Sequence, residues 1–321
     1  MPSHQLAHPA DRKQSHTALV HFLDHLAAVG DRNSIPVDNP SFWNGLVCPG
    51  SNLDLAAELR ARGVAWATPQ ALASVAAPDR ARAVVIAQDA FTSFFDTRVT
   101  LAAVDLLQRL GFVPFVAPFR ANGKALHVHG FRGRFDQVAR ANAAFLRGLQ
   151  SAGIAVVGIE PAVTLTYRSE YRETLGEADA PQVLLLQEWL AGRLEALAPH
   201  APRSAANWEL LPHCTEKTQA GESLECWKRI FAALGQTLTV AKVGCCGMAG
   251  TWGHERENES QSRELYRMSW SGKVNDPARE GRLVATGYSC RSQARRVDGK
   301  HIPHPVEVLL GLVGRAEDKA D

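Results

Sequence analysis

The chain runs twice through one alternation of short β-branched strands and amphipathic helices, and that repetition restricts it to an α/β fold of two similar halves. In the first pass, Val84-Val85-Ile86-Ala87 predicts a strand, residues 99–110 a helix stopped by Gly111, and residues 113–116 the next strand. A helix over 135–149 ends near Gly153, a strand follows over 154–157, and residues 181–197 predict one long amphipathic helix bridging the halves. The second pass starts near Trp208, with a strand over 209–211, a helix centred on Trp227 to Phe231 and a strand over 238–240. It closes with a helix over 259–268, a strand over 282–285 and an apolar helix over 305–313. Laid over each other, Leu110-Gly111 matches Leu234-Gly235, and Ala121-Asn122-Gly123 falls on Cys245-Cys246-Gly247. At that offset Thr166 meets Cys290, and Asp89 lies within one residue of the place matching Cys214. The pattern reads as an internal duplication whose first copy lacks thiols.

Each half is expected to hold a short, mainly parallel sheet flanked by helices, with residues 81–203 as the first domain and 204–321 as the second. Residues 1–80 read as a helical appendage and linker: Leu19, Phe22, Leu23 and Leu26 have helical spacing, and residues 31–50 form a loop in which Cys48 is incidental. A second apolar pattern runs over 53–59, and Ala76-Ala77-Pro78-Asp79 marks a break.

With 321 residues and 45% hydrophobic content, two cores of ordinary size can be buried. A formal net charge of +2, with basic and acidic residues interspersed, argues against nucleic acid as a partner. No apolar run reaches the length of a membrane span, and the first residues lack the charged and apolar pattern of an export signal. Six cysteines then read as reduced thiols or ligands, and the cytoplasm is the expected location.

The chemistry concentrates in Gly244-Cys245-Cys246-Gly247, with Cys214 upstream and Cys290 downstream, each just past a predicted strand. Thiolates converging at strand ends suit an iron–sulfur cluster or zinc; the competing reading is four buried thiols packed as small hydrophobes. Gly244 and Gly247 let the backbone approach a bound group, and a helix start lowers thiol pKa values. Adjacent cysteines bind a multi-iron cluster more naturally than one tetrahedral ion, although zinc with Cys214, Cys290, one of the pair and an outside ligand stays open. His254 is the candidate for that ligand, or for a proton donor beside a substrate, against a structural role at a helix start. His213 and His304 are weaker candidates, and Cys226 reads as core packing. The order of Gly247, Gly250 and Gly253 is wrong for a nucleotide fingerprint, and Asp89 and Asp96 read as caps before cation ligands.

The run from Val243 through Glu255, with Ala285 through Gln293 and His304-Pro305-Val306, resembles the C-terminal region of bacterial FAD-linked, iron–sulfur-containing D-2-hydroxyglutarate dehydrogenases. Gln88-Asp89-Ala90-Phe91-Thr92-Ser93 and residues 118–131 resemble the preceding part of that region. More distantly, both halves resemble the cysteine-rich CCG domains of heterodisulfide reductases and of the iron–sulfur proteins of glycolate and lactate oxidases. The resemblance implies a metal site of Cys214, Cys245, Cys246 and Cys290, with Gly287 where the family carries a fifth cysteine. It implies a 4Fe-4S cluster, with zinc as the alternative, relaying electrons from a flavin that this chain does not bind. The expected partners are flavin-binding and ferredoxin-like domains of the same enzyme or of a partner subunit, and self-association stays open. The chain alone is not expected to oxidise a 2-hydroxyacid. A reading of another class, a structural or docking module with a zinc or empty thiol site, competes with it.

Overall fold

The computed structural model of the chain describes residues 53–314 except 250, 251 and 255. The helical pattern read at Leu19 to Leu26 and the loop bearing Cys48 lie outside the described residues.

Helix α1 (Leu55–Ala61) opens the described chain, capped by Asp54, whose side chain accepts from the N–H groups of Ala56 and Ala57. Its Leu55 and Leu59 enter the central core, and Trp66 bridges in parallel to Val116, so this part of the expected appendage packs onto the first half. Strand β1 (Ala83–Ile86) is buried on both faces, as expected of a continuous β-branched run inside a parallel sheet. Helix α2 (Thr97–Arg109) then leads through Gly111, whose φ of +80° allows the reversal, into β2 (Val113–Val116). Helix α3 (Arg132–Gln150) returns the chain to β3 (Ala155–Gly158).

The long bridging helix expected over 181–197 is not formed. Val183–Leu185 instead pair in parallel with β3 as an edge strand, β4, and helix α4 covers only Leu186–Ala191 before Gly192. The leucine-rich run satisfies a helical period as well as a strand, and the open edge of β3 decides between them. The first sheet therefore has the order β2-β1-β3-β4, all parallel.

Strand β5 (Asn207–Leu211) leads to helix α5 (Cys214–Gln219), followed by α6 (Glu222–Ala233) and β6 (Thr237–Val240). Helix α7 (Glu259–Tyr266) precedes β7 (Leu283–Ala285), and α8 (Tyr288–Asp298) and α9 (Pro305–Leu312) complete the described chain. The second sheet has the order β6-β5-β7, again all parallel.

The two sheets share one core. Val84, Ile86 and Val157 of the first pack with Leu210, Leu238 and Val284 of the second through a layer in which α2 lies on α9 and α4 on α6. Outer cores close the sandwich, with Val85, Phe115 and Val156 under α3, and Leu211, Leu283 and Ala285 under Tyr266 and Trp270. Among the described residues no helix is long and apolar enough to cross a membrane.

Candidate thiol site between the two halves

In a parallel sheet the carboxyl ends of all strands face the same way, so the loops leaving β5, β6 and β7 meet on one side of the second half. The loop after β5 delivers Cys214 to the first turn of α5, the loop after β6 carries Cys245 and Cys246, and β7 runs into α8 with Cys290 in its first turn. Four thiols read from sequence are thereby joined in one chain of contacts. Cys245 Sγ accepts from the thiols of Cys214 and Cys246 and from the Gly247 N–H at 3.3 Å, and Cys246 is linked onward to Cys290. These donors hold Cys245 well below the usual thiol range, while giving up a proton toward it pushes Cys214 and Cys246 up. One negative charge is thus shared within a sulfur cluster, which is an environment for a cationic group.

Among the described residues no three His, Cys, Asp or Glu side chains are arranged to hold a single metal ion. Cysteines serving a cluster bind separate iron atoms and need no such common point. The donor chemistry therefore fits a multi-iron group: four sulfurs, two of them buried and two half-buried, beside a backbone N–H.

The space beside Gly287 is filled by a neighbour. A Cβ added there would overlap the His213 ring at Cδ2 and stand 3.0 Å from its Cγ and 3.2 Å from Cys290 Sγ. His213 is buried and caps α5, its Nδ1 accepting from the Thr215 N–H at 3.2 Å, and burial pushes its pKa down to about 4. Gly247 has a φ of +88°, and a Cβ there would overlap the carbonyl oxygen of Ser262, so this glycine is required by the close pass of α7. Gly244 is held through its backbone, its N–H donating to Ser269 Oγ at 2.9 Å and its carbonyl accepting from Trp270 Nε1 at 3.1 Å. His254 ends a short turn of 3₁₀ helix, Trp252–His254, and its side chain lies outside the described residues. His304 is a cap, its Nδ1 accepting from the Val306 N–H at 3.2 Å, and Cys226 lies half-buried against the central core.

Sequence reasoning did not foresee the opposite wall of the site. The carboxyl ends of the first sheet face those of the second across a cavity of about 310 Å³, lined by Gln88, Asp89, Asn122, Lys124 and Glu160 on one side and His213, Cys214, Cys246 and Ser289 on the other. Strand register gives the correspondence between the walls. The Ala117 N–H donates to Ile86 as the Ala241 N–H does to Leu210, which places Asp89 opposite His213 in the repeat. Ile86 pairs with Val157 and Leu210 with Val284, so Glu160 takes the place of Gly287, and Val163, not Thr166, takes that of Cys290. The signal was present in the duplication, but a three-residue difference between the halves hid it from a constant offset.

The acidic groups around the cavity are held by donors. Asp89 accepts from the N–H groups of Phe91 and Thr92 and from the Thr92 hydroxyl, the cap expected from sequence. Asp96 pairs with the buried Arg291 of the second half at 2.8 Å, which removes it as a cation ligand. Phe91 stacks on Tyr288 with ring centroids 5.0 Å apart. Glu160 is fully buried, and burial pushes its pKa up to about 8 against the pull of Arg291. Glu216 is buried behind Cys214, accepting from Thr286, Gln187 and Ser223, and burial pushes it up to about 7.

Comparison with known proteins gives one consistent relationship. The chain is 44% identical over 265 residues to D-2-hydroxyglutarate dehydrogenase of Pseudomonas putida, covering 83% of this chain and 26% of that protein. It is 44% identical over 247 residues to the Escherichia coli protein of the same name, covering 77% and 24% respectively, and 43% identical over 252 residues to that of Haemophilus influenzae. The chain spans about a quarter of the length of these curated relatives. No family model matches it.

Proposed function

We propose that this chain is the electron-relay portion of a D-2-hydroxyglutarate-type dehydrogenase, in which Cys214, Cys245, Cys246 and Cys290 hold an iron–sulfur cluster and the flavin resides on another domain or subunit. The observation that carries the reading is the gathering of these four thiols at the carboxyl ends of one parallel sheet, with Cys214 and Cys246 lining a cavity. A cluster bound there would supply a one-electron carrier. The residues of the chain do the rest. Cys245 provides a pre-ionised thiolate, the Gly247 N–H compensates its charge, and the central core holds the two walls in place. The names of the relatives support the substrate class, and the cytoplasm remains the proposed location. Catalysis by this chain alone is not part of the proposal, which places the flavin needed for hydride removal on another domain or subunit.

Anaerobic reconstitution followed by iron and sulfide analysis tests the reading. Wild-type chain is expected to take up iron and sulfide together, and a Cys245→Ser, Cys246→Ser double variant to lose that uptake. Equal uptake by both proteins sinks the relay. The alternative is a structural or docking module with a zinc or empty thiol site. It becomes the better account if wild-type protein binds no iron yet still associates with a flavin-bearing partner.

A further inference from the structure

We infer that the cavity between the two halves binds a small organic anion with a flat apolar body, its ring held beside Phe91 and Phe119 and its acid group by Arg120. Such a site needs no metal. The first sheet has the order β2-β1-β3-β4, so the chain leaves β1 on one side and returns on the other, and the crevice at the carboxyl ends of β1 and β3 is its switch point. Open parallel sheets bind their ligands at that point. Here the crevice is the cavity: Asp89 and Phe91 come from the loop after β1, and Glu160 and Val163 from the segment after β3. The second half gathers its thiols at the same position, after β5 and β7. The first half carries no thiol there, and its crevice is a space of about 310 Å³ lined mainly by carbon, within the size of a small-molecule site.

The chemistry of the lining selects the ligand. Phe91 stacks on Tyr288, and Phe119 packs against Phe94 with ring centroids 4.8 Å apart and planes at 71°, so both rings are fixed by neighbours. Ala121, Ala125 and Ala162 add little bulk beside them and leave room for a flat ring. The acids of the wall are already satisfied, Asp89 by Phe91 and Thr92 and Glu160 by the Tyr288 N–H, so they do not call for a cationic ligand. Lys124 is paired with Glu170. Arg120 differs. Its guanidinium lies 4.3 Å from the centroid of the Phe145 ring and has no acidic partner among the described residues. Its side chain is exposed, as is Val128, and both line the cavity, which places the free cation on the solvent side. A carboxylate there gains a charge-assisted hydrogen bond while the apolar body leaves water.

Calorimetric titration of the full chain with 2-naphthoate tests the site, with 2-naphthamide and 2-naphthylmethylamine as its neutral and cationic counterparts. The acid is expected to bind once per chain and about tenfold more tightly than the amide. Arg120→Gln is expected to erase that preference while the amide keeps its affinity, and Ala125→Phe, which fills the cavity, to abolish binding of both. Placement has its own readout. In a Cys245→Ser chain alkylated at alkaline pH, saturating naphthoate is expected to slow labelling of Cys214, which lines the cavity, and to leave Cys226 on α6 unchanged. This readout decides the placement should Ala125→Phe fail to fold. No saturable binding of naphthoate, equal binding of acid and amide, tighter binding of the amine, or a preference that survives Arg120→Gln overturns the inference. Unaltered labelling of Cys214 overturns it as well.

Discussion

The carboxylate of Glu160, at the end of the first sheet, accepts a hydrogen bond at 2.8 Å from the backbone N–H of Tyr288, where the second sheet gives way to α8. This contact joins the walls of the cavity, and it places a buried acid in the repeat position of Gly287. The first half thus carries Asp89 and Asn122 where the second carries His213 and Cys246.

Stability is expected to fall as pH rises in a Cys245→Ser background, which removes the opposing gain from the Cys245 thiol, whose lowered pKa adds stability over the same range. Glu160 and Glu216, both fully buried, have folded-state pKa values raised to about 8 and about 7. Above the ordinary carboxyl range the unfolded chain releases these protons while the folded chain retains them, so folding weakens until the folded pKa is passed. The loss is on the order of a few kcal/mol over that window. Thermal melts of this variant, metal-free, from pH 6.5 to pH 8 check it. That window lies above the range in which the two buried histidines, both with lowered pKa values, would destabilise on charging. Glu160→Gln is expected to flatten the slope, and an unchanged slope contradicts the assignment.

Arg291 is the cation of this interface, donating to the carbonyls of Ala285 and Thr286 and pairing with Asp96. Its guanidinium is buried, whereas the Asp96 side chain keeps 28% of its exposure. Removing the cation leaves two carbonyls and a carboxylate without their donor, at a cost of about 3–5 kcal/mol. Arg291→Met is therefore expected to lower the urea midpoint more than Asp96→Asn, whose loss leaves the arginine two carbonyl partners. The reverse order would show that the carboxylate organises the interface.

Much of this architecture can be read from the chain because burial on both faces of a strand leaves an unbroken β-branched run, as in Val84-Val85-Ile86. The thiol site is legible for a related reason: parallel strands send their outgoing loops to one edge, so Cys214, Cys245 and Cys290 must approach. Strand β4 was hidden because Val183–Leu185 run directly into α4 without a polar break, and only the free edge of β3 assigns them. The far wall was hidden too. Asp89, Asn122 and Glu160 become site residues only through the way the two sheets face each other, which no local pattern encodes.

Two glycines of the site are expected to differ sharply in tolerance. Gly247→Ala meets a positive φ and the fixed backbone of Ser262, neither of which can yield without moving α7. Gly287→Ala meets the His213 ring, a side chain that can rotate, at a non-glycine-like backbone only in its crowding. Chemical denaturation should show a loss of several kcal/mol, roughly, for Gly247→Ala and a smaller one for Gly287→Ala. Adding His213→Ala to the second variant should recover much of that loss, and failure to recover would mean the ring is not the obstacle.

Cys245 is expected to be the first of the described thiols to react with iodoacetamide in metal-free protein near neutral pH. Only the thiolate attacks, and Cys245 is held ionised by donors from Cys214, Cys246 and the Gly247 N–H. It is also half-buried, whereas Cys246 and Cys290 are buried. Cys226 has comparable exposure, but burial of its thiol raises its pKa, so its labelling should wait for alkaline conditions. Cys214, deprived of its proton only after Cys245 gives up its charge, should follow once Cys245 is capped. Timed alkylation with peptide mass spectrometry at two pH values reads the order directly. Labelling of Cys226 ahead of Cys245 at neutral pH would mean that the sulfur cluster does not hold its charge at Cys245.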